Sequence, residues 1–429
     1  MFRSSKINLN ISLCTIQTGI PLRVLDIMAC GGFVLTNMQP ELMEYFIPGE
    51  DVAVYEDMKD MIAKVQFYLE HEELRKRIAH NGYLKVCEMF RFDDRIKYML
   101  EIADENDMTD VKISVIVPCH NVVGMVGECL ESIVNQTIGL SHLEIILVDD
   151  ASTDNTVDVL KYYEQKYSDN IMLVLCDKNG RQGTARNIGM SYATGNYISF
   201  VDSDDWIHPD MYKILAGIMM NNNCDIVQFR YKETKQLPSD YNRHIDNVDV
   251  NIYDYAKDRK KYLLDSSILN ESCTTKLYSS RLIAEAGVRY AENVAYEEPL
   301  FAYPLKFYVG RVAVTQAQLY YYRYNEKGTM LSYMNNPSTM VQHLQVQQDV
   351  YTRMGNSGYM DEFRDEINLY FLHSFYAETF YFMAARRMPM PAVMLRYMIN
   401  VVKKYIPDYK DNPYIGYPGV KEEMESLKL

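Results

Sequence analysis

Three aspartates follow an apolar segment near the middle of the chain, and their spacing is the strongest chemical signal in the sequence. Tyr197–Val201 has the pattern of a buried strand, and Asp202, Asp204 and Asp205 come directly after it. Carboxylates this close repel one another unless a cation neutralises them. Their hard oxygen atoms suit Mg²⁺ or Mn²⁺, which commonly also bridges substrate phosphates. A solvated acidic turn is the alternative, but acidic runs seldom end a buried strand, so we predict a divalent-metal site.

A second acidic pair, Glu297 and Glu298, lies further along the chain between Tyr296 and Phe301. A carboxylate in a partly apolar setting keeps its proton to a higher pH, which suits a general base. The alternative is that the two acids mark the N-terminus of a helix with Pro299 in its first turn. The two interpretations are compatible.

Polar residues also follow the other apolar segments of this region. Pro118 is expected to end the first strand and fix the turn, where His120 and Asn121 would project toward a base or a ribose. Asp150 follows the second strand and could accept a hydrogen bond from a nucleobase imide. Arg186 lies one turn into a helix and could reach a phosphate as a rigid fork. Alone, each signal is weak, and a surface arginine or a structural histidine is the alternative.

Two loops carry residues with other expected roles. Gly180 and Gly183 allow the backbone to pass close to a ligand. The polar run Ser152–Asn155 is expected to cap the helix that follows it.

These residues need a scaffold that gathers the ends of several strands. Helices are expected between the strands, at about Val122–Gln136, Thr156–Tyr167 and Gly183–Ala193, and the strands are predicted at Ile113–Val117, Leu143–Val148, Ile171–Cys176 and Tyr197–Val201. Strands that alternate with helices in this way require a mostly parallel sheet with helices on both faces. Ligands of these sheets bind beyond the carboxyl ends of the strands, where the candidate residues fall. The predicted fold class is α/β.

The regions on either side differ in pattern. Residues 1–104 alternate short strands with helices, at Ile7–Leu13, Leu22–Cys30, Phe33–Thr36, Glu41–Phe46, Val52–Tyr55 and one long helix from Met58 to about Phe90. A polar, acidic linker is predicted at 105–111, before the central domain at 112–336. Residues 337–429 are rich in Tyr, Phe and Met. They predict a helical region with its own packed core, and a groove for an acceptor or a membrane is the alternative.

Composition excludes some classes of function. The net charge of -14 argues against a protein that holds nucleic acid by its backbone. The eight cysteines lie in apolar runs without metal-ligand spacing, so buried free thiols in a reducing cytosol are expected. No signal peptide or transmembrane helix is expected, which predicts a cytoplasmic protein with peripheral membrane contact if its acceptor is lipid-linked.

The segments VIVPCHN, VDDASTDNT, NGRQGTARNIG, FVDSDDW and YEEPLF occur in this order. Together they resemble the family 2 inverting glycosyltransferases with the GT-A fold, over roughly Lys112–Tyr333. The resemblance implies a Rossmann-like nucleotide-diphospho-sugar transferase domain. It also implies a single in-line displacement that moves a sugar, with UDP-sugar the expected donor, to a hydroxyl of a glycan or lipid-linked acceptor in cell-surface polysaccharide synthesis. A nucleotide-sugar-binding scaffold without turnover is the alternative.

The same resemblance implies roles residue by residue. Glu298 matches the position of the base, where the family usually has aspartate, and Glu297 is the fallback. Lys276 lies in a segment that resembles one preceding the acceptor region. The metal, Mn²⁺ or Mg²⁺, would sit on Asp202, Asp204 and Asp205. The donor would be held by Pro118, His120, Asn121, Asp150, Arg186, Asp202, Ser203 and Arg323.

The N-terminal region has a resemblance of its own. SKINLNIS, IPLRVLDIMACGGFVLTN, PELMEYF and NGYLKV are similar to the C-terminal, nucleotide-binding half of a GT-B glycosyltransferase of the spore-maturation type. Arg23 and Asp26 match positions near the nucleotide in that family. A GT-B site is a cleft between two domains, so this half is expected to be inactive alone. Residues 1–104 are interpreted either as a remnant or as a half domain that a partner chain completes.

Overall fold

The computed structural model describes residues 2–11, 20–90, 111–238, 241, 243–245, 248–324, 338–385 and 387–416. The chain divides into two compact units, Met1–Thr109 and Asp110–Leu429. The predicted linker at 105–111 lies outside the described residues except for Val111.

The first unit contains a parallel three-stranded sheet in the order β1 (Asn8–Asn10), β2 (Val34–Asn37), β3 (Ala53–Tyr55). The predicted alternation of strands and helices is therefore confirmed. Its helices are α1 (Leu22–Ala29), α2 (Pro40–Tyr45), α3 (Met58–Glu70) and α4 (Glu72–Met89).

The prediction of one long helix after Met58 is wrong, because the helix breaks at His71. That residue has φ -111° and ψ 69°, outside the helical region. Glu72 and Glu73 fall in the first turn of α4, where acidic side chains favour a helix N-terminus. The apolar periodicity continues through the break and hides it in the sequence.

The described part of the second unit is built on one mixed sheet. Its strands are β4 (Ile113–Cys119), β5 (Leu143–Asp149), β6 (Ile171–Leu175), β7 (Tyr197–Phe200), β8 (Trp206–Ile207), β9 (Ile226–Thr234), β10 (Val250–Asp254), β11 (Lys276–Ser279) and β12 (Arg311–Arg323). They lie in the order β10-β12-β9-β11-β7-β4-β5-β6, and β8 pairs with β12. The pairs β7–β4, β4–β5 and β5–β6 are parallel, as the sequence predicts.

Helices cover this sheet and continue into a helical region. They are α5 (Val126–Val134), α6 (Thr156–Lys166), α7 (Arg181–Tyr192), α8 (Met211–Asn222), α9 (Arg259–Leu264), α10 (Ser280–Ala286), α11 (Glu298–Leu305), α12 (Ser338–Gly355), α13 (Met360–Phe371), α14 (Glu378–Ala385) and α15 (Ala392–Tyr405). A π-helical segment, Leu372–Ala377, joins α13 to α14. Phe371, Phe375 and Met398 are buried in an apolar cluster of this region, which confirms the predicted helical core.

The order of the parallel strands creates the crevice that the candidate site needs. The chain runs from β4 to β5 and β6 on one side, and then returns to β7 on the other side of β4. A switch of this kind separates the loops that follow β4 and β7 and leaves space for a ligand between them. Pro118 lies inside β4 and not past its end, because it pairs with Val148. The β7 ladder stops at Ile116, so the missing N–H of the proline is tolerated on that side.

The seven described cysteines are free. Cys30 and Cys87 are exposed, so the expectation of buried thiols is wrong for these two. Among the described residues, no helix is both long and apolar enough to cross a membrane.

Candidate active site

The acidic turn after β7 is tied to strand β12. The side chain of Asp205 is buried, and its carboxylate accepts hydrogen bonds from the Tyr320 hydroxyl and the Arg323 backbone N–H, both at 2.7 Å. The same Tyr320 oxygen accepts the backbone N–H of Asp202 at 3.1 Å. Burial and the charges of Asp202 and Asp204 raise the pKa of Asp205 to about 8. Asp205 therefore anchors the turn, while Asp202 and Asp204 remain partly exposed.

Arg186 on α7 joins the two acidic motifs. Its guanidinium is 2% exposed and forms ion pairs with Asp202 at 2.8 Å and with Glu297 at 2.5 Å. Although burial disfavours its charge, the surrounding negative groups hold the pKa of Arg186 above its ordinary value. Burial raises the pKa of Glu297, and Arg186 opposes that effect. The predicted role of Arg186 at a phosphate is not tested; what the structure adds is a buried cation between the two motifs.

The same helix holds the loop that carries Glu297. The side chain of Asn187 accepts the N–H of Tyr290 and donates to its carbonyl, at 2.9 and 3.0 Å. A Cβ on Gly183 would lie 2.2 Å from the Ala291 carbonyl oxygen, so only glycine allows this approach. The sequence interpretation of Gly183 as a place for ligand approach is therefore replaced by close packing against the chain's own loop.

Glu298 differs from Glu297 in its surroundings. Glu297 is buried and ion-paired, whereas Glu298 is half-buried and opens α11 with Pro299 behind it, as the sequence predicts. One carboxylate oxygen of Glu298 accepts the backbone N–H of Cys273 at 3.0 Å. The two glutamates thus have different surroundings: Glu297 is part of the buried ion-pair network, and Glu298 is half-buried and oriented by the Cys273 N–H.

The loops after β4, β5 and β6 are joined by hydrogen bonds around His120. The Asn121 side-chain oxygen accepts the Thr153 N–H at 2.8 Å, which leaves its amide nitrogen to donate to His120 Nε2 at 3.0 Å. His120 Nδ1 consequently carries the proton and donates to the Asp150 carbonyl at 2.8 Å. The buried Asp150 carboxylate accepts the Gly180 N–H at 2.7 Å. The structure brings together these predicted residues at one edge of the sheet.

Arg323 and Ser203 lie at the other side of the acidic turn. The Arg323 guanidinium stacks 3.7 Å above the Trp206 ring and pairs with Glu128 at 2.6 Å. Ser203 is buried beside the Cys119 thiol. Their predicted contacts with a donor are not tested. Sequence reasoning missed Tyr320 and Asn187, although Asn187 lies inside the quoted segment NGRQGTARNIG and Tyr320 lies three residues before Arg323.

The acidic turn fits a metal that shares its ligands with a substrate. The described residues contain no group of three or more ligating side chains that could enclose an ion. Asp205 uses its carboxylate internally, and one oxygen of Asp202 pairs with Arg186. Asp202 and Asp204 still supply hard oxygen atoms. Mg²⁺ sites often use one or two carboxylates, several waters and substrate phosphates, so this donor set fits such an ion.

In the N-terminal unit, Arg23 and Asp26 lie on α1 and are exposed, whereas Val24 and Ile27 of the same helix are buried. Their predicted contact with a nucleotide is not tested.

Comparisons with known proteins agree with the architecture. The sequence model of the family described as Glycosyl transferase family 2 matches residues 114–287, which include Asp202–Asp205 and end before Glu297. A second model, described as Glycosyl transferase-like, matches residues 1–101.

Similar curated proteins include a poly(ribitol-phosphate) β-glucosyltransferase of Bacillus spizizenii, 30% identical over 52% of this chain and 34% of that protein. The uncharacterized glycosyltransferase YibD of Escherichia coli is 28% identical over 52% of this chain and 65% of that protein. The poly(ribitol-phosphate) β-N-acetylglucosaminyltransferase TarS of Staphylococcus aureus is 27% identical over 52% of this chain and 37% of that protein. The chain therefore spans less than two thirds of each of these relatives.

The solved structure of S. aureus TarS is similar in fold. Its TM-score is 0.52 at 21% identity, and the match covers 74% of this chain and 54% of that one. The α/β fold with a GT-A-type sheet is therefore confirmed.

Replacing Arg186 tests the ion-pair network. In Arg186→Met, Glu297 stays buried without its counter-charge, and we expect a loss of about 3 kcal/mol in the free energy of unfolding. The double variant Arg186→Met/Glu297→Gln should recover part of that loss. The exposed Arg289→Met is the control and should change the value by less than about 0.5 kcal/mol. Urea denaturation measures all four proteins, and a loss below about 1 kcal/mol for Arg186→Met would contradict the network.

Asp205 should make stability depend on pH. Its pKa is about 8 in the folded protein and about 3.9 in an unfolded chain, so the folded state binds the extra proton between these values. The free energy of unfolding of metal-free protein should consequently fall as the pH rises from about 4 to 8. Asp205→Asn should flatten this slope in denaturation experiments with a chelator present. Equal slopes for the two proteins would argue against the raised pKa.

Proposed function

We propose that the domain in which residues 114–287 match the model described as Glycosyl transferase family 2 is an active, inverting transferase that moves a sugar from a nucleotide donor to a hydroxyl group. The observation that carries the proposal is the bridge through Arg186 from Asp202 to Glu297. It ties the acidic turn beside the predicted nucleotide loops to the loop that presents Glu298. The residues proposed to bind the donor and the base proposed to act on the acceptor would then lie at one edge of the sheet.

Glu298 is the proposed general base. It is half-buried, and the Cys273 N–H fixes one of its oxygens while the other can accept a proton. The N-terminal position on α11 favours a negative charge there. Glu298 would remove the proton of the acceptor hydroxyl as its oxygen attacks the anomeric carbon. A single displacement from the face opposite the leaving nucleotide inverts the configuration of the sugar.

Glu297 has a different proposed part. Its ion pair with Arg186 holds the loop against α7, which fixes where Glu298 begins its helix. Holding a catalytic group within a fraction of an ångström supplies much of the rate in bimolecular transfers. Glu297 is thus a positioning residue, and the fallback assignment of Glu297 as base has less support than Glu298.

Asp202 and Asp204 are the proposed ligands of Mg²⁺ or Mn²⁺. Bound there, such an ion offsets the negative charge that develops on the leaving nucleoside diphosphate. The hydrogen bond from the Tyr320 hydroxyl to the Asp205 carboxylate holds the turn in place. Asp150 and the His120–Asn121 pair line the neighbouring loops, where we place the base and ribose of the donor.

The proposed donor is a UDP-sugar, and the proposed acceptor is a hydroxyl of a glycan or polyol-phosphate polymer of the cell surface. Two of the similar proteins are named as poly(ribitol-phosphate) glycosyltransferases, which supports an acceptor of this kind. A lipid-linked acceptor would bring the protein to the inner face of the membrane. For residues 1–104, the match to a Glycosyl transferase-like model supports a nucleotide-binding half domain, either a remnant or one half of a site that a partner chain would complete.

Replacing Glu298 tests the base. Glu298→Gln keeps the size of the side chain and its contact with Cys273 but removes the proton acceptor. We expect the rate of sugar transfer to fall by about 10²–10⁴-fold, with donor affinity nearly unchanged. The transfer rate is measured with a panel of UDP-sugars in the presence of Mn²⁺, and the donor affinity is measured by equilibrium dialysis of UDP.

The exposed Glu285→Gln on α10 is the matched control and should transfer at the parent rate. Asp204→Ala should weaken UDP binding only when Mn²⁺ is present. If Glu298→Gln transfers as fast as the parent, the assignment of the base is wrong. If the parent binds UDP-sugars but never turns them over, the chain is a binding scaffold.

A further inference from the structure

Lys276 is a buried lysine that the proposed reaction does not use. It is the first residue of β11 and is only 2% exposed. Its ammonium group donates to the Asn270 side-chain oxygen at 2.6 Å and to the Ser272 carbonyl. Among the described residues, no carboxylate forms an ion pair with it at 4.0 Å or less. Burying a charge with only neutral acceptors is unfavourable, so this lysine needs an explanation.

The Ser272 carbonyl belongs to the same peptide group as the Cys273 N–H. On one side, that peptide accepts a hydrogen bond from Lys276; on the other, it donates to Glu298 at 3.0 Å. A positive charge at the carbonyl oxygen draws electron density away from the N–H and makes it a stronger donor. A stronger donor favours the ionised form of the carboxylate that accepts from it.

The turn that carries this peptide also has hydrogen bonds that do not involve the ammonium group. The side chain of Gln228 on β9 accepts the Asn270 N–H at 2.9 Å and donates to the Ser267 carbonyl at 3.1 Å. The Asn270 side chain also accepts the Ser272 N–H at 3.1 Å. The peptide is therefore held by several neutral hydrogen bonds besides those from Lys276, and what the ammonium group adds is a positive charge at the Ser272 carbonyl.

We infer that Lys276 is a positioning residue that acts on Glu298 through the Ser272–Cys273 peptide, favouring the ionised carboxylate that accepts the acceptor's proton. The inference rests on the proposed function for its catalytic meaning, but the chain of contacts can be tested without turnover. Lys276 touches neither substrate in this account.

Other charged or titratable groups share this part of the protein. Burial lowers the pKa of Lys276 to about 7, the nearby Lys306 lowers it further, and Cys273, Glu298 and Glu271 oppose this. Burial also lowers the pKa of Lys306. Lys276 carries its positive charge below pH 7, and in that pH range it can favour the ionised form of Glu298. The other charged or titratable groups around Cys273 and Glu298 are Arg186, Asp202, Tyr278, Tyr290 and Glu297.

The Cys273 amide reports on Glu298 directly. The chain has eight cysteines, so protein labelled with ¹⁵N only in cysteine gives a simple amide spectrum, and Cys273→Ser identifies the signal. The Cys273 amide proton shift should change with pH as Glu298 ionises and again near pH 7 as Lys276 loses its proton. Glu298→Gln should abolish the change on the acid side and leave only the change near pH 7. Persistence of the acid-side change in Glu298→Gln would overturn the inference.

Lys276→Met removes the charge and should move the midpoint of the Cys273 titration to higher pH by about 1 unit, the low end of the effect of a nearby opposite charge. Lys306→Met, a buried lysine facing Glu271, is the matched control and should leave the midpoint in place. If Lys276→Met does not fold, Lys276→Gln decides, since it keeps a donor without charge. An unchanged midpoint in the folded variant overturns the inference.

Activity separates this inference from the proposed function. If both hold, the acid limb of the kcat profile moves with the amide midpoint in the Lys276 variant. If the parent transfers no sugar while Lys276→Met still moves the midpoint of the Cys273 titration, the inference about Lys276 holds and the proposed transferase function is wrong. If the parent transfers sugar and only the melting temperature of Lys276→Met changes, Lys276 is structural and the inference fails.

Discussion

The buried guanidinium of Arg186 is the interaction on which the rest of the site depends. It contacts Asp202 and Glu297, which are far apart in the chain, and it does so without access to bulk water. A buried charge of this kind is stable only with partners in good geometry, so each acid constrains the other through the arginine. The order of the strands then places the remaining residues, because β4 and β7 end beside each other at the switch point.

Around this centre, backbone groups do much of the positioning. The Tyr320 hydroxyl joins the Asp202 backbone to the Asp205 carboxylate, and the Cys273 N–H orients Glu298. Gly183 allows α7 to lie against the loop before Glu297, where a Cβ would meet a carbonyl oxygen at 2.2 Å. The partly exposed carboxylates of Asp202, Asp204 and Glu298 are thus carried by buried supports. Such an arrangement fixes the directions of these carboxylates while leaving them partly exposed.

Strand periodicity and the acids at strand ends predicted the parallel half of the sheet and the residues gathered at its edge. The sequence could not assign the three aspartates separate roles, because only tertiary contacts show that Asp205 faces Tyr320. It likewise could not indicate that Glu297, more than a hundred positions away, pairs with Arg186, and the expected contact of Arg186 with a phosphate stays a prediction. The break at His71 was missed because the apolar period runs through it. The resemblance drew attention to the segment of Lys276, but the sequence did not indicate that this lysine is buried, because burial is a property of the fold.

In the proposed reaction, a divalent ion and the donor's diphosphate share the turn after β7, within reach of Glu298. The decisive experiment is a crystal structure with Mn²⁺ and an unreactive UDP-sugar analogue, in which anomalous scattering locates the Mn²⁺. We expect one ion about 2.1 Å from an oxygen of Asp202 or Asp204 and from the diphosphate, with Glu298 facing the anomeric carbon from the opposite side. A metal bound elsewhere, or a donor remote from both acidic motifs, would contradict it.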